Sequence, residues 1–142
     1  SGGGQPFFDY LREELVPKVD ENYPTNQFNI LIGHSYGGYF GAYILGQRQP
    51  FKALQLYDPA IWYSDGEVIE LLDQFPPLDS LDVFITYQPQ PAFHAEKIED
   101  LADELAQYQS LHLGIKKYPN ETHNSLFMDS FLQGMKHLYG DQ

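Results

Sequence analysis

Apolar residues recur along this chain at two alternating spacings. Phe8, Leu11, Leu15 and Val19 return every three or four residues, which predicts an amphipathic helix over residues 7–23. Pro17 lies inside it, lacks a backbone donor and crowds the preceding turn, so a kink is expected there. The apolar run 28–32 predicts a buried strand and 36–47 a helix; 51–57 predicts a second strand and 66–75 a short helix closed by Pro76-Pro77. A third strand is expected at 81–87, ended by the loop holding Pro89 and Pro91. Residues 92–108 then place Ile98, Leu101, Ala102 and Leu105 on one helical face, with acids on the other. A fourth strand at 111–118 and a helix at 126–139, with Phe127, Phe131, Met135 and Leu138 inward, complete the pattern. A helix followed by four strand–helix units implies an α/β fold with about four parallel strands, flanking helices and right-handed crossovers. With no internal repeat or low-complexity tract, residues 1–142 read as a single domain.

The first predicted strand runs straight into Gly33-His34-Ser35-Tyr36-Gly37, and the next helix starts there. G-x-S-x-G between a strand and a helix is the context of a nucleophile elbow, a sharp turn that holds a serine hydroxyl clear of its own strand. Such a turn demands small neighbours, a role expected of Gly33 and Gly37, while Gly38 and Gly41 let the helix approach the sheet closely. The helix N-terminus turns backbone N–H groups toward negative charge forming beside Ser35. Ser35 is thus the nucleophile candidate, and the backbone N–H of Tyr36 one oxyanion donor.

Composition removes several classes of function. Cysteine is absent, which excludes disulfides, thiolate metal sites and cysteine nucleophiles. Eight basic and twenty acidic side chains give a formal net charge of −12, which disfavours nucleic acid and anionic membranes as partners. No apolar run approaches the ~20 residues of a membrane helix. No signal-peptide pattern appears, and any targeting signal would lie upstream of Ser1, so the compartment is left open. The glycine-rich start, residues 1–4, is expected to be a leader or the end of a loop. No H-x-x-x-H, H-x-H or H-x-D cluster occurs, so neither a metal nor another cofactor is expected.

Three ordered motifs carry a family resemblance across essentially the whole chain. The segment from Ile32 to Phe40 resembles the G-H-S-F-G-G elbow of bacterial serine esterases in the α/β-hydrolase superfamily, a group including esterase-D-like and siderophore-ester hydrolases. Asp58-Pro59-Ala60-Ile61-Trp62-Tyr63 is similar to that group's D-P-S-L-W-W segment, and the segment from Tyr118 to Ser125 to its histidine loop, E-x-H-x-S. The resemblance implies hydrolysis of a small-molecule carboxylic ester through an acyl-enzyme. It also implies a chain corresponding to the C-terminal half of the domain, because the family's serine follows the fifth of eight strands. The other half would supply the second oxyanion donor. Without it the first strand here would be an exposed apolar edge. A homo-oligomer or a complementary N-terminal segment is therefore expected to cover that edge.

His123, on a loop beyond the last strand, is the expected base. The acid is less determined. Most α/β-hydrolases carry it after the strand corresponding to 83–87, but the loop there reads Gln88-Pro89-Gln90-Pro91; Glu96, the nearest acid, falls within a predicted helix. Asp58 follows the strand after the elbow, a position resembling that used by pancreatic-type lipases, and is the expected acid. The alternatives are a turn-capping Asp58 with a Ser–His dyad, or an impaired hydrolase fragment acting as a binding module. His34, His94, His112 and His137 are expected in packing or solvated roles, with Glu121 too near His123 along the loop to partner it. Tyr36, Tyr39, Trp62, Tyr63 and Phe127 are candidates to line an apolar pocket, Trp62 foremost.

Overall fold

A computed structural model describes residues 2–140. Its helical start, α1 (Gly4–Tyr10), begins within the expected leader and continues through a π-helical turn at Leu11–Leu15 into α2 (Val16–Asn22). Pro17 sits at the junction between that turn and α2, inside a continuous helical run. The wider π turn just before it absorbs the crowding, in place of a break.

Four strands follow: β1 (Ile30–His34), β2 (Ala53–Tyr57), β3 (Leu81–Tyr87) and β4 (Leu111–Lys117). They form one sheet in the order β1-β2-β3-β4, with every pairing parallel. Between and after them run α3 (Tyr36–Ile44), α4 (Glu67–Gln74), α5 (Ala92–Leu105) and α6 (Leu126–Tyr139). The α/β class and strand count match the sequence pattern. β1, however, starts two residues late and runs through Gly33 and His34 to the elbow itself.

Side-chain alternation divides the core in two. Leu54 and Leu56 of β2 and Leu81, Val83 and Ile85 of β3 join the larger cluster with Phe8, Ala42, Ile44, Val68, Leu72, Ile98 and Leu101 of the helices. Tyr57 and Phe84 point to the other face and pack with Tyr118 and Leu126. β2 is wholly buried, as expected for an inner strand of a parallel sheet. β4 is nowhere fully buried, exposes His112, Ile115 and Lys117, and ends on Lys116 and Lys117, charges that guard an edge. β1 is the opposite edge, paired only with β2 among the described residues.

α6 departs from expectation. Its buried residues are Leu126, Ser130 and Gly134, whereas Phe127 and Phe131 each remain 38% exposed. Small residues set this rotation. A Cβ on Gly134 would collide with the Gln55 amide, and Ser130 Oγ lies 2.7 Å from Thr86 Oγ1. The narrow face therefore approaches the sheet and the aromatic stripe lies to one side.

Candidate active site

The sheet delivers the chemistry-bearing residues at one end, because all four strands point the same way. Ser35 follows β1, Asp58 follows β2, Gln88 and His94 follow β3, and His123 follows β4. Ser35 holds φ 59° and ψ −117°, a conformation rare for a residue with a side chain. Backbone bonds fix it there: Ser35 N–H donates to the Tyr57 carbonyl at 3.0 Å, and its own carbonyl accepts from Ala60 N–H at 3.0 Å and Tyr39 N–H at 3.1 Å. A Cβ on Gly33 would strike the Gly37 carbonyl, and one on Gly38 would lie 2.6 Å from Pro59 Cβ. A Cβ on Gly37 would meet nothing within 4 Å, so the expected steric demand falls on Gly33 and Gly38 instead. Tyr36 opens α3, with its ring exposed and its backbone N–H at the helix N-terminus beside Ser35.

Asp58 is fully buried and receives four donors. His123 Nδ1 lies 2.6 Å from Oδ2 and His94 Nε2 lies 2.7 Å from Oδ1. The Gln88 backbone N–H donates to Oδ1 at 3.2 Å and its side-chain amide to Oδ2 at 3.2 Å. Burial pushes the carboxyl up, but the hydrogen bonds from His94 and His123, the nearby His94 and the Gln88 N–H outweigh it and hold Asp58 below the usual carboxylate range. An ionised carboxylate only accepts, so each histidine presents its N–H to Asp58. On His123 this leaves Nε2 with a free lone pair.

A cavity of about 220 Å³ opens over this arrangement, lined by Ser35, Ala60, Trp62, Gln88, Gln90, Pro91, Phe93, His94 and His123. Trp62 meets Phe93 edge-on at 6.1 Å between ring centres, and Tyr36 lies 6.2 Å from Trp62 and 5.7 Å from Tyr63. Tyr39 packs on Tyr63. Phe127 lies away from the cavity, against Tyr57 and His34. Glu96 is exposed on α5 and does not line the cavity.

His94 corrects an expectation, being 4% exposed and bonded to Asp58 rather than loosely packed. The loop that lacks a carboxylate supplies Gln88, and the first turn of α5 supplies His94, as donors to Asp58 after the neighbouring strand. A histidine soon after the C-terminal end of a parallel strand was the available signal. His34 braces His123: its Nε2 lies 2.7 Å from the His123 carbonyl oxygen, with the two rings 4.5 Å apart. Glu121 instead accepts from Ser125 Oγ at 2.5 Å, which, with reciprocal Thr122–Ser125 bonds, holds the loop entering α6.

The sequence model of the Esterase family matches residues 2–127. The chain belongs to the Esterase family. Among relatives, it is 25% identical over 113 residues to the ferri-bacillibactin esterase BesA of Bacillus subtilis, an alignment covering 73% of this chain and 38% of BesA. The crystal structure of an IroE-like serine hydrolase from Shewanella oneidensis superposes with a TM-score of 0.89 at 27% identity, covering 99% of this chain and 49% of that one. The siderophore hydrolase EstB of Aspergillus nidulans shares the fold, with a TM-score of 0.84 at 21% identity, over 96% of this chain and 57% of EstB. This Esterase-family chain thus spans about half the length, or less, of those bacterial relatives.

Asp58, His94 and His123 also have the composition of a metal site, their donor atoms lying within 4.8 Å of one another. Short hydrogen bonds already engage both carboxylate oxygens, which suits proton handling better than ligation.

Proposed function

We propose that this chain carries the nucleophile, base and acid of a serine-dependent carboxylic ester hydrolase. The observation that supports it most is the 2.6 Å contact between buried Asp58 and His123, beside the cavity that Ser35 also lines. Ser35 Oγ attacks the ester carbonyl carbon while His123 Nε2 takes its proton. The developing oxyanion is met by the Tyr36 N–H. Collapse breaks the bond to the leaving alkoxide, which takes the proton from His123 and departs as the alcohol. Water, activated by the same imidazole, then attacks the acyl-serine and releases the acid. Asp58 keeps His123 in the working tautomer and balances the imidazolium; His94 and Gln88 hold Asp58 in place.

Trp62, Phe93 and Tyr36 offer aromatic faces to an aryl or apolar group of the ester. With relatives named as a siderophore esterase and hydrolase, we assign esters of the siderophore kind as the substrate class. A second oxyanion donor, whose loss typically costs about 10²–10³ in turnover, would come from a complementary segment.

The test is intact-mass analysis after exposure to a fluorophosphonate, which phosphonylates an activated serine and expels fluoride. One adduct is expected on the native chain and none on Ser35→Ala. Asp58→Asn should slow labelling by up to about 10⁴ through the wrong tautomer, and Glu96→Gln should not change it. A folded native chain that takes no adduct, or a Ser35→Ala chain that still does, would overturn the reading.

A further inference from the structure

The opposite end of the sheet carries a second cluster of ligating side chains, built from β3, β4 and α6. Asp82 and His112 are direct register partners near the N-terminal ends of β3 and β4, so their side chains leave the same face. α6 crosses that face and brings His137 over them in its last turn. His112 Nδ1 lies 2.6 Å from Asp82 Oδ2, and His137 Nε2 lies 3.1 Å from Asp82 Oδ1. The two imidazoles stack at 4.4 Å and 10°.

The seat of the His137 ring is shaped by backbone. A Cβ on Gly114 would lie 2.6 Å from both Cε1 and Nδ1 of that ring, and Phe84 stacks on it at 5.1 Å. Any side chain at position 114 would displace the ring from Asp82. Two atoms here are nevertheless left over: Asp82 Oδ1 and His137 Nε2 are buried and, among the described residues, neither has a hydrogen-bond partner, although they face each other. Buried polar atoms are rarely orphaned, and a facing carboxylate oxygen and imidazole nitrogen without hydrogen-bond geometry point to a shared ligand. This distinguishes the cluster from Asp58, whose oxygens are taken up by donors.

We propose that Asp82, His112 and His137 bind a divalent transition-metal ion of the zinc class, at a site separate from the ester-hydrolysis cavity. Two imidazole nitrogens and one carboxylate oxygen, with donor atoms within 4.8 Å of one another, form a set that suits zinc, with water completing a tetrahedron. Metal–ligand bonds of about 2.0–2.2 Å in a tetrahedron separate ligand atoms by roughly 3.3–3.6 Å, close to the His137–Asp82 spacing. His112 Nδ1 must withdraw from Asp82 by about 1 Å, and it is free to do so because its side chain is 70% exposed. Calcium and magnesium are disfavoured, since they require oxygen ligands. A net charge of −12 draws cations to the chain. Bound there, the ion clamps the C-terminal turn of α6 to β3 and β4.

The experiment is calorimetric titration of the chelator-treated, buffer-exchanged chain with zinc chloride, paired with thermal melts across zinc concentration. One zinc per chain is expected, with Tm rising as zinc increases. His137→Ala and His112→Ala should each weaken binding at least ten-fold and flatten the Tm response. His123→Ala, which removes a ligand from the Asp58 cluster instead, should leave the zinc affinity unchanged. Because His137→Ala leaves a void beside Gly114, the exposed His112→Ala variant carries the test if the former fails to fold. Failure of the folded native chain to bind zinc, binding that survives His112→Ala, or binding lost in His123→Ala would each overturn the proposal.

Discussion

Gly33 and Gly37 flank Ser35 symmetrically in the sequence but not in space. A methyl group at position 33 would meet the backbone of the turn, whereas one at 37 would enter open space. Gly33→Ala is accordingly expected to lose about 1–3 kcal/mol of stability through overpacking. Gly37→Ala, on a helical residue, should hold or gain up to about 1 kcal/mol. Urea unfolding of both variants checks the asymmetry, and equal losses would contradict it. Asp58 has a further signature in acid. Its folded carboxyl titrates below the unfolded one, so the unfolded chain binds the extra proton between the two values and stability rises with pH there. That contribution is complete above the ordinary aspartate range, near pH 4, and fades as pH falls through the lower, folded value. Asp58→Asn should therefore flatten the acid limb of a stability–pH curve measured by urea midpoints. At this scale the sequence made Ser35 and Asp58 visible because each ends a strand in a recognisable motif. It left His94 unread: its place soon after β3 was a signal, but nothing local shows that its partner lies after another strand.

At the scale of elements, periodicity located the four strands and the α-helices, though not the short 3-10 turn at Tyr63–Gly66, because buried parallel strands and one-sided helices leave different spacings. Orientation was harder to read. α6 carries an aromatic stripe that hydropathy turns inward, yet Ser130 and Gly134 face the sheet because only small groups fit against Gln55 and Thr86. Hydropathy records preference for burial, not the clearance available at the contact. Gly134→Leu is expected to cost about 1–3 kcal/mol through overpacking and to slow fluorophosphonate labelling, because the His123 loop leads directly into α6. Thermal melts and labelling rates of the variant measure both effects; an unchanged Tm would contradict this account of the rotation.

Across the whole molecule, exposed apolar side chains are widely spread, and several lie by β1 and α6. Phe28, Phe127 and Phe131 are exposed there or on the adjoining α6, Phe28 with its ring 6.3 Å from that of Tyr139, and β1 has a single strand neighbour among the described residues. Such an edge pairs readily. Sedimentation velocity is expected to show association that increases with protein concentration and weakens in Phe131→Lys; a strictly monomeric native chain at all concentrations would contradict it. β1 also leads directly into Ser35, the proposed nucleophile. Its ties to the rest of the site are backbone bonds to Tyr57 and Ala60 and the contact of His34 with His123, whereas Asp58, Gln88 and His94 follow the inner strands and hold one another. Edge strands open at lower free energy than interior ones. Fraying of β1 would thus carry the Ser35 hydroxyl away and release the His34 contact on His123 while Asp58, Gln88 and His94 stay assembled, so the proposed site can switch off well before the fold is lost.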